Sequence, residues 1–393
     1  MPDRPKRILF TGFEPSGDDH ASAVISRLRE RHPELEMFAW GGPKMGAAGA
    51  TIVERTGKDA VMGVPGIGKI LEHQRINQRV REWIADNPID LHVPVDSPAA
   101  NFPICAIAKR AGAKVVHLVA PQVWAWGPWR VKKLRRLTDF VCCLLPFEER
   151  YFTVRGVPAR FVGHPIFDKA PDEADLEAVA SDWPQNGPRI ALMPGSRPAE
   201  LRKNFPLLLE AFRTIKRRHP TAEAVVAAAS EDAEASLREL AGLHGGWPEG
   251  VPAARANAEA VARWADLALV VSGTVTLQVA RQQTPMVVVY RSSRLLYHLV
   301  ARWLVRTPMF CLPNLLASRR IVPELIPHFD GPEPIAAAAL RLLSRPEIAR
   351  QQQHDLGAIC ELFAGHCAAD EAAGHIARIL GIAVPRAAEP AIA

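Results

Sequence analysis

Short apolar runs alternate with longer amphipathic stretches along this 393-residue chain. Ile8-Leu9-Phe10 opens it as a strand, and the runs Glu36 to Trp40, Leu91 to Val95, Lys114 to Val119 and Phe140 to Leu145 read as strands too. Between them a helical period recurs over Asp18 to Arg31, Ile67 to Ala85, Ile104 to Ala111 and Trp129 to Leu137. A strand buried on both faces loses the alternation of polar and apolar positions and becomes a nearly continuous apolar run, as these are. Repeated strand–helix units imply a parallel, doubly wound sheet.

The pattern breaks at Asp168. Residues Asp168 to Pro188 are acidic, hold prolines at 171 and 184, and read as a connection carrying a short helix. A second series then begins with strands at Arg189 to Met193, Ala224 to Ala229, Leu267 to Val271 and Pro285 to Tyr290, and helices after about Pro334 close the chain. The expected organisation is one Rossmann-like domain over 1–168, a second over 169–366, and a C-terminal helix in 367–393 that can pack back on the first. Its tail, from Ala383 to Ala393, has no periodic pattern and reads as frayed. Two α/β, doubly wound parallel-sheet domains would then face a cleft, with ligands at the carboxyl ends of the strands.

Composition narrows the functional classes. Hydrophobic residues make up 48% of the chain, enough for each half to bury its own core. Lysine and arginine exceed aspartate and glutamate by 48 − 42 = +6, which fits an anionic partner without choosing among phosphate, nucleic acid and acidic lipid. No block of pure basic residues reads as a nucleic-acid tail, so no nucleic-acid partner is expected. The six cysteines, at 105, 142, 143, 311, 360 and 367, form no CxxC pair; Cys142 and Cys143 lie in an apolar run and read as core thiols in a reducing compartment, and no metal site is expected. The start, Met1-Pro2-Asp3-Arg4-Pro5, lacks the apolar region of a signal peptide, and no stretch of 18 uncharged apolar residues occurs. The expectation is a cytoplasmic protein, able to attach to a membrane surface.

The loops after the strands hold the candidate chemistry. Thr11 to Asp18 reads TGFEPSGD, and its small residues Ser16 and Gly17 before a helix permit close approach of an anion. A plain turn capped by Ser16 or Asp18 accounts for the same residues. It is not GxGxxG, so nicotinamide binding is not expected. Asp96 ends a buried strand, where a carboxylate is costly without partners or a task; it is either a general base or a cap for the next helix. Trp124, Trp126 and Trp129 lie in six residues, ahead of Arg130, Lys132, Lys133, Arg135 and Arg136. Core packing explains the tryptophans, and five cations cannot share one narrow helical face, so part of that run is simply solvated. In the second half, Gly195, Ser196 and Arg197 follow the first strand, and Ser272, Gly273 and Thr274 follow another. Both are strand–loop–helix anion sites on paper, and each alone could be an ordinary cap.

Taken in order, Gly12 to Asp18, Asp96 to Asn101, Val123 to Trp126, Leu145 to Glu148, Gly163 to Pro165, Pro194 to Arg197, Ser272 to Thr274 and Leu312 to Ala317 resemble the lipid-A-disaccharide synthase family. The resemblance implies a GT-B fold and an inverting, metal-independent glycosyltransferase without a cofactor. It implies transfer of 2,3-diacylglucosamine from UDP-2,3-diacylglucosamine to lipid X, 2,3-diacylglucosamine 1-phosphate, forming a β-1,6 disaccharide. It assigns the first domain to acceptor and lipid and the second to the UDP-sugar. Asp96 and Arg197 match the family's essential residues. Ser16, Gly17, Asp18, Asn101, Gly195, Ser196, Glu200, Ser272, Gly273, Thr274, Gln278 and Asn314 match positions expected to bind substrate.

Four departures mark a divergent member: Phe13 is an extra residue in the first loop, Ala99 stands where many members have Asp, Gln278 where they have Glu, and Gly66 where they tend to have Glu. Two other classes stay open at this point. One is a different GT-B enzyme on UDP-sugars, such as a UDP-N-acetylglucosamine 2-epimerase, against which the Trp-rich loop and the LPNLLA run argue. The other is a homologue that binds lipid or nucleotide without turnover, for which Gln278 speaks. Lipid substrates also imply an anionic inner-membrane surface as partner, met peripherally from the cytoplasmic face. Arg291 to Arg306, with Arg294, Arg302, Trp303 and Arg306, and Gly66 to Leu71 are the stretches expected to meet it, although the first is equally an amphipathic helix packed on its own core.

Overall fold

The computed structural model describes residues 4–56, 67–125, 127–294 and 307–383. The chain divides into two compact units: Met1–Asp168 with Gly365–Ala393, and Lys169–Ala364 between them.

Unit 1 is built on seven parallel strands: β1 (Arg7–Gly12), β2 (Glu36–Gly41), β3 (Thr51–Arg55), β4 (Leu91–Val95), β5 (Lys114–His117), β6 (Phe140–Cys143) and β7 (Ala159–Phe161). Their order across the sheet is β3-β2-β1-β4-β5-β6-β7. The helices are α1 (Pro15–Arg31), α2 (Pro43–Ala47), α3 (Ile67–Asp86), α4 (Pro98–Arg110), α5 (Val131–Leu137) and α6 (Pro146–Thr153). Side chains alternate across the sheet as a period of two demands. Ile8 and Phe10 join Val24, Ile25 and Leu28 of α1 in one core, while Leu9 between them joins Val80, Ile84 and Phe102 on the other face. With both faces covered, β1 and β4 have no solvent side, which is why they read as apolar runs.

Unit 2 repeats the plan with β8 (Arg189–Met193), β9 (Glu223–Ala228), β10 (Ala253–Arg255), β11 (Leu267–Val271), β12 (Met286–Arg291) and β13 (Glu324–His328), in the order β10-β9-β8-β11-β12-β13. Its helices are α7 (Glu173–Ala180), α8 (Pro198–Arg218), α9 (Glu231–Gly242), α10 (Ala258–Trp264), α11 (Val275–Arg281), α12 (Leu312–Ala317), α13 (Glu333–Ser344) and α14 (Pro346–Cys360). The stretch expected as a connection carrying a short helix holds one, α7, and packs as part of this unit: Trp183 meets Trp264 edge-on with ring centroids 6.0 Å apart. The two sheets share the strand order 3-2-1-4-5-6, which reverses direction between the first and fourth strands. Crevices for ligands in open α/β sheets lie at that reversal, at the carboxyl ends of the strands.

Four strands were not visible as apolar runs. β3 carries exposed ends and β7 and β10 have three residues each. β13 opens on Glu324, contains Pro327 and is mostly half-buried. β3, β7, β10 and β13 are the sheet edges, where one side lacks a neighbour and burial is incomplete.

The chain returns to unit 1 as α15 (Ala368–Leu380), whose Ala372, Ala373 and Ile376 enter the same core as α1. Asp168, at the end of the first segment, receives the amides of Ala368 and Ala369 at 2.7 and 3.1 Å. Asp370 of α15 pairs with Arg31 and Arg27 of α1. Removing an acceptor at a helix N-terminus costs about 1 kcal/mol. Asp168→Ala should therefore expose the segment from Gly365 to limited proteolysis severalfold faster than in the wild type, with circular dichroism otherwise unchanged. Equal cleavage rates would show that the carboxylate does not hold α15.

Candidate functional site

In unit 1 the reversal lies between β1 and β4, and both loops that follow are joined there: Ser97 Oγ donates to Glu14 Oε1 at 2.8 Å. Asp96 and Ser97 have φ of +48° and +40°, a left-handed conformation that L residues with side chains avoid. A buried network holds this turn. Asn101, on the first turns of α4, donates through Nδ2 to the carbonyls of Val95 at 3.1 Å and Asp96 at 2.7 Å. Its Oδ1 accepts the Thr11 hydroxyl at 2.6 Å. The Thr11 proton is thereby used, so the 2.8 Å bond to His92 must come from His92 Nε2–H. His92 is neutral, its pKa lowered to about 3 chiefly by complete burial. Val119, in the loop after β5, is also left-handed at +69°. Among the described residues, half of the six non-glycine residues at positive φ stand at this one edge of one sheet. Strain gathered in this way marks a site that the surrounding structure holds in place.

The structure corrects several expectations here. Asn101 is fully buried and spends its amide on backbone and Thr11, so it positions Asp96 rather than facing a ligand. Asp18 is likewise buried: its two oxygens accept the amides of Lys44 at 3.0 Å and Met45 at 2.9 Å, capping α2 from a neighbouring helix. Neither Ser16 nor Asp18 caps α1, which starts at Pro15 after Glu14. Ser97, not Asp96, occupies the N-cap of α4. Gly17 is buried against β1 and β4, and Ser16 is exposed.

Glu148, the last residue of the Leu145 to Glu148 motif, is more than a motif position. It is 2% exposed and sits in the first turn of α6. Its Oε1 accepts Trp124 Nε1–H at 2.9 Å and its Oε2 the amide of Leu145 at 3.1 Å. Burial, with the negative charge of Asp96 adding to it, pushes its carboxyl up to about 7, against the pull of those donors. Proline at the first helical position and glutamate at the third was the available signal.

In unit 2 the reversal lies between β8 and β11. Gly195 has φ of +98°, and a Cβ there would stand 2.9 Å from Glu200 Oε2 and 3.6 Å from Val271, the last residue of β11. Glycine is required on both counts. Glu200 is buried and accepts Arg197 Nη1 at 3.1 Å, fixing the guanidinium at the start of α8. Asn204, one turn on, donates to the Glu200 carbonyl at 2.9 Å and accepts the amide of Arg291 at 2.7 Å. Ser196, Gly273 and Thr274 are exposed, and nothing stands within 4 Å of where a Gly273 side chain would be. The Ser272 amide is spent on Val289. Gln278 is half-buried on α11. The structure thus gathers Gly195, Ser196, Arg197, Glu200 and Ser272 to Thr274 at one edge. Asn314 does not belong to it: it is fully buried, and its side chain bonds Ile321, Val322 and Glu324, holding the approach to β13.

Residues 295–306 of the expected membrane stretch, Gly66 and Trp126 lie outside the described residues. No described helix is long and apolar enough to cross a membrane.

A model of the lipid-A-disaccharide synthetase family matches residues 8–375. The lipid-A-disaccharide synthase of Geobacter metallireducens is 34% identical over 96% of this chain and 98% of its own. Among solved structures, a complex of S. aureus MnaA with UDP superposes with a TM-score of 0.66 at 11% identity, covering 98% of this chain and 99% of that one. The kitacinnamycin glycotransferase does so with a TM-score of 0.61 at 16% identity, covering 96% and 100%. At these identities the structures speak for the fold, that of the GT-B enzymes.

Because burial raises the Glu148 carboxyl to about 7, the stabilisation is complete below its ordinary carboxyl range and is lost as pH rises through about 7. Urea midpoints should therefore fall between pH 5 and 8 more steeply in the wild type than in Glu148→Gln, which cannot titrate. Equal slopes would mean that Glu148 is ionised in the fold throughout.

Proposed function

Because the chain belongs to the lipid-A-disaccharide synthase family of glycosyltransferases, we propose that it transfers 2,3-diacylglucosamine from UDP to 2,3-diacylglucosamine 1-phosphate, forming a β-1,6 disaccharide. The observation that carries this reading to particular residues is the locked left-handed turn at Asp96. An inverting displacement needs the acceptor hydroxyl to lose its proton as it attacks the anomeric carbon from the face opposite UDP. Asp96 Oδ takes that proton. Its backbone is fixed from beneath by Asn101, so the carboxylate need not be reorganised during the step.

UDP leaves with growing negative charge. Arg197 meets it, with Glu200 setting the plane of the guanidinium. The exposed Gly273–Thr274 backbone at the start of α11 offers amides to the diphosphate, and Gly195 and Ser196 allow its close approach. Gln278 accepts from the ribose hydroxyls. No metal takes part. Both substrates carry acyl chains, so the enzyme works peripherally at the anionic cytoplasmic face of the inner membrane.

Asp96→Asn keeps the shape of the turn and loses the base, so turnover should fall at least about a hundredfold with KM little changed. Near-normal kcat in that variant would remove Asp96 from the role. Arg197→Ala should lower kcat by about a hundredfold or more while leaving turnover insensitive to chelator, as in the wild type. Activity abolished by EDTA and restored by magnesium would contradict the metal-free displacement.

A further inference from the structure

The loop that carries Trp124 runs on into a strongly basic element. Trp129 lies in the 3-10 turn Pro128–Arg130 and is 59% exposed. α5 follows directly and turns Val131, Leu134 and Leu137 inward. Its other four residues, Lys132, Lys133, Arg135 and Arg136, are all exposed. The helix has thus already buried its apolar residues in its own unit, and what it presents outward is charge.

No carboxylate pairs with any of these four cations among the described residues, although Lys133 Nζ lies 5.2 Å from the centre of the Phe102 ring. Nearby cations are paired: Lys109 of the neighbouring α4 holds Asp139 at 2.7 Å, and Arg160 of β7 holds Glu149 at 3.2 Å. A second segment extends the patch. The Cδ of Arg135 lies 3.5 Å from where a side chain at Gly156 would begin, next to Arg155 and to Val154, which is 68% exposed. Single exposed apolar residues need no explanation. Here Trp129 and Val154 both flank uncompensated cations. A bilayer surface supplies what that mixture lacks: phosphates for the cations and a shallow apolar layer for an indole.

We propose that Trp129 and the exposed face of α5, extended by Val154 and Arg155, form the surface by which this enzyme docks on anionic phospholipid. The inference rests on the lipid substrates of the proposed function, and it names a surface that the sequence reading passed over as solvated. The patch begins in the loop after β5, at the same sheet edge as Asp96. Docking there sets the acceptor side of the site against the headgroup layer from which an acylated sugar must be drawn. A nucleic acid would use the same cations and would stack a base on Trp129, but it has no use for the exposed Val154.

The test uses the full chain and flotation with vesicles of phosphatidylcholine alone or mixed with phosphatidylglycerol. Wild type should float only with the anionic vesicles and be released by salt. The quadruple variant Lys132→Gln, Lys133→Gln, Arg135→Gln, Arg136→Gln keeps helix propensity. It should need at least about tenfold more lipid, since each cation contributes severalfold near such a surface. Trp129→Ala should weaken flotation while keeping its salt dependence. Both variants should melt with the wild type and turn over soluble short-chain substrates at the wild-type rate. Flotation of the quadruple variant equal to wild type would overturn the proposal. So would tighter binding of a single-stranded oligonucleotide than of anionic vesicles, lost in that variant. Absence of short-chain turnover in the wild type would instead sink the proposed reaction, and the vesicle results would stand apart from it.

Discussion

A carboxylate must stand at the end of a buried strand without either sinking into the core or swinging freely in solvent, and the arrangement around Asp96 meets that demand. The chain achieves it by turning left-handed immediately after β4, at Asp96 and again at Ser97. Two such residues cost about 1–3 kcal/mol each. Four buried hydrogen bonds oppose that cost: two from Asn101 to the strand end, one from Thr11 to Asn101, and one from His92 to Thr11. At about 0.5–1.5 kcal/mol apiece their sum is comparable. The network works only with His92 neutral, because a second ring proton on Nδ1 would be buried without an acceptor. Burial enforces that state, so the strain at the surface and the protonation of a histidine in the core are one problem with one solution.

Electrostatics at this edge follow from the same burial. Glu148 is taken out of water by α6 and held by Trp124 and Leu145, and it stays near neutrality rather than adding a full second negative charge close to Asp96. Trp124, half-buried and edge-on to Phe147 at 5.0 Å, is fixed by the same acid, so the loop after β5 is tied to the helix after β6.

How legible this was in the sequence depended on burial. Central strands such as β1, β4, β8 and β11 are enclosed on both faces and announced themselves as apolar runs. Edge strands such as β3 and β13 are half-exposed, and their polar residues masked them. The loops that carry chemistry could be placed, since small residues and helix starts after strands are local features. Roles within those loops could not. Asn101, Asn314 and Asp18 are polar residues in the right segments, yet all three are buried and spent on the protein's own backbone and side chains. A residue string does not distinguish an asparagine facing a ligand from one holding up the turn that does. That distinction is set by which strand ends lie next to it, and strand order is a long-range property.

The two units solve related problems differently, and the difference reflects what each turn must present. Both place a loop at the reversal of a 3-2-1-4-5-6 sheet, but only in unit 1 does an asparagine of the following helix, Asn101 on α4, bond the turn itself; Asn204 on α8 ties the Glu200 carbonyl to the Arg291 amide instead. In unit 2 the left-handed residue is Gly195, which adopts φ of +98° without a steric penalty. A glycine suffices there because the loop offers backbone, and the charged group, Arg197, comes two residues later in ordinary extended geometry. In unit 1 the strained position itself bears the side chain proposed as the base, so glycine is not available to relieve it. The strain at Asp96 must then be supported by a buried polar network, whereas the loop at Gly195 needs only room and a carboxylate, Glu200, to aim its arginine. A requirement for a side chain at the turn is what places His92, Thr11 and Asn101 in the core beneath Asp96.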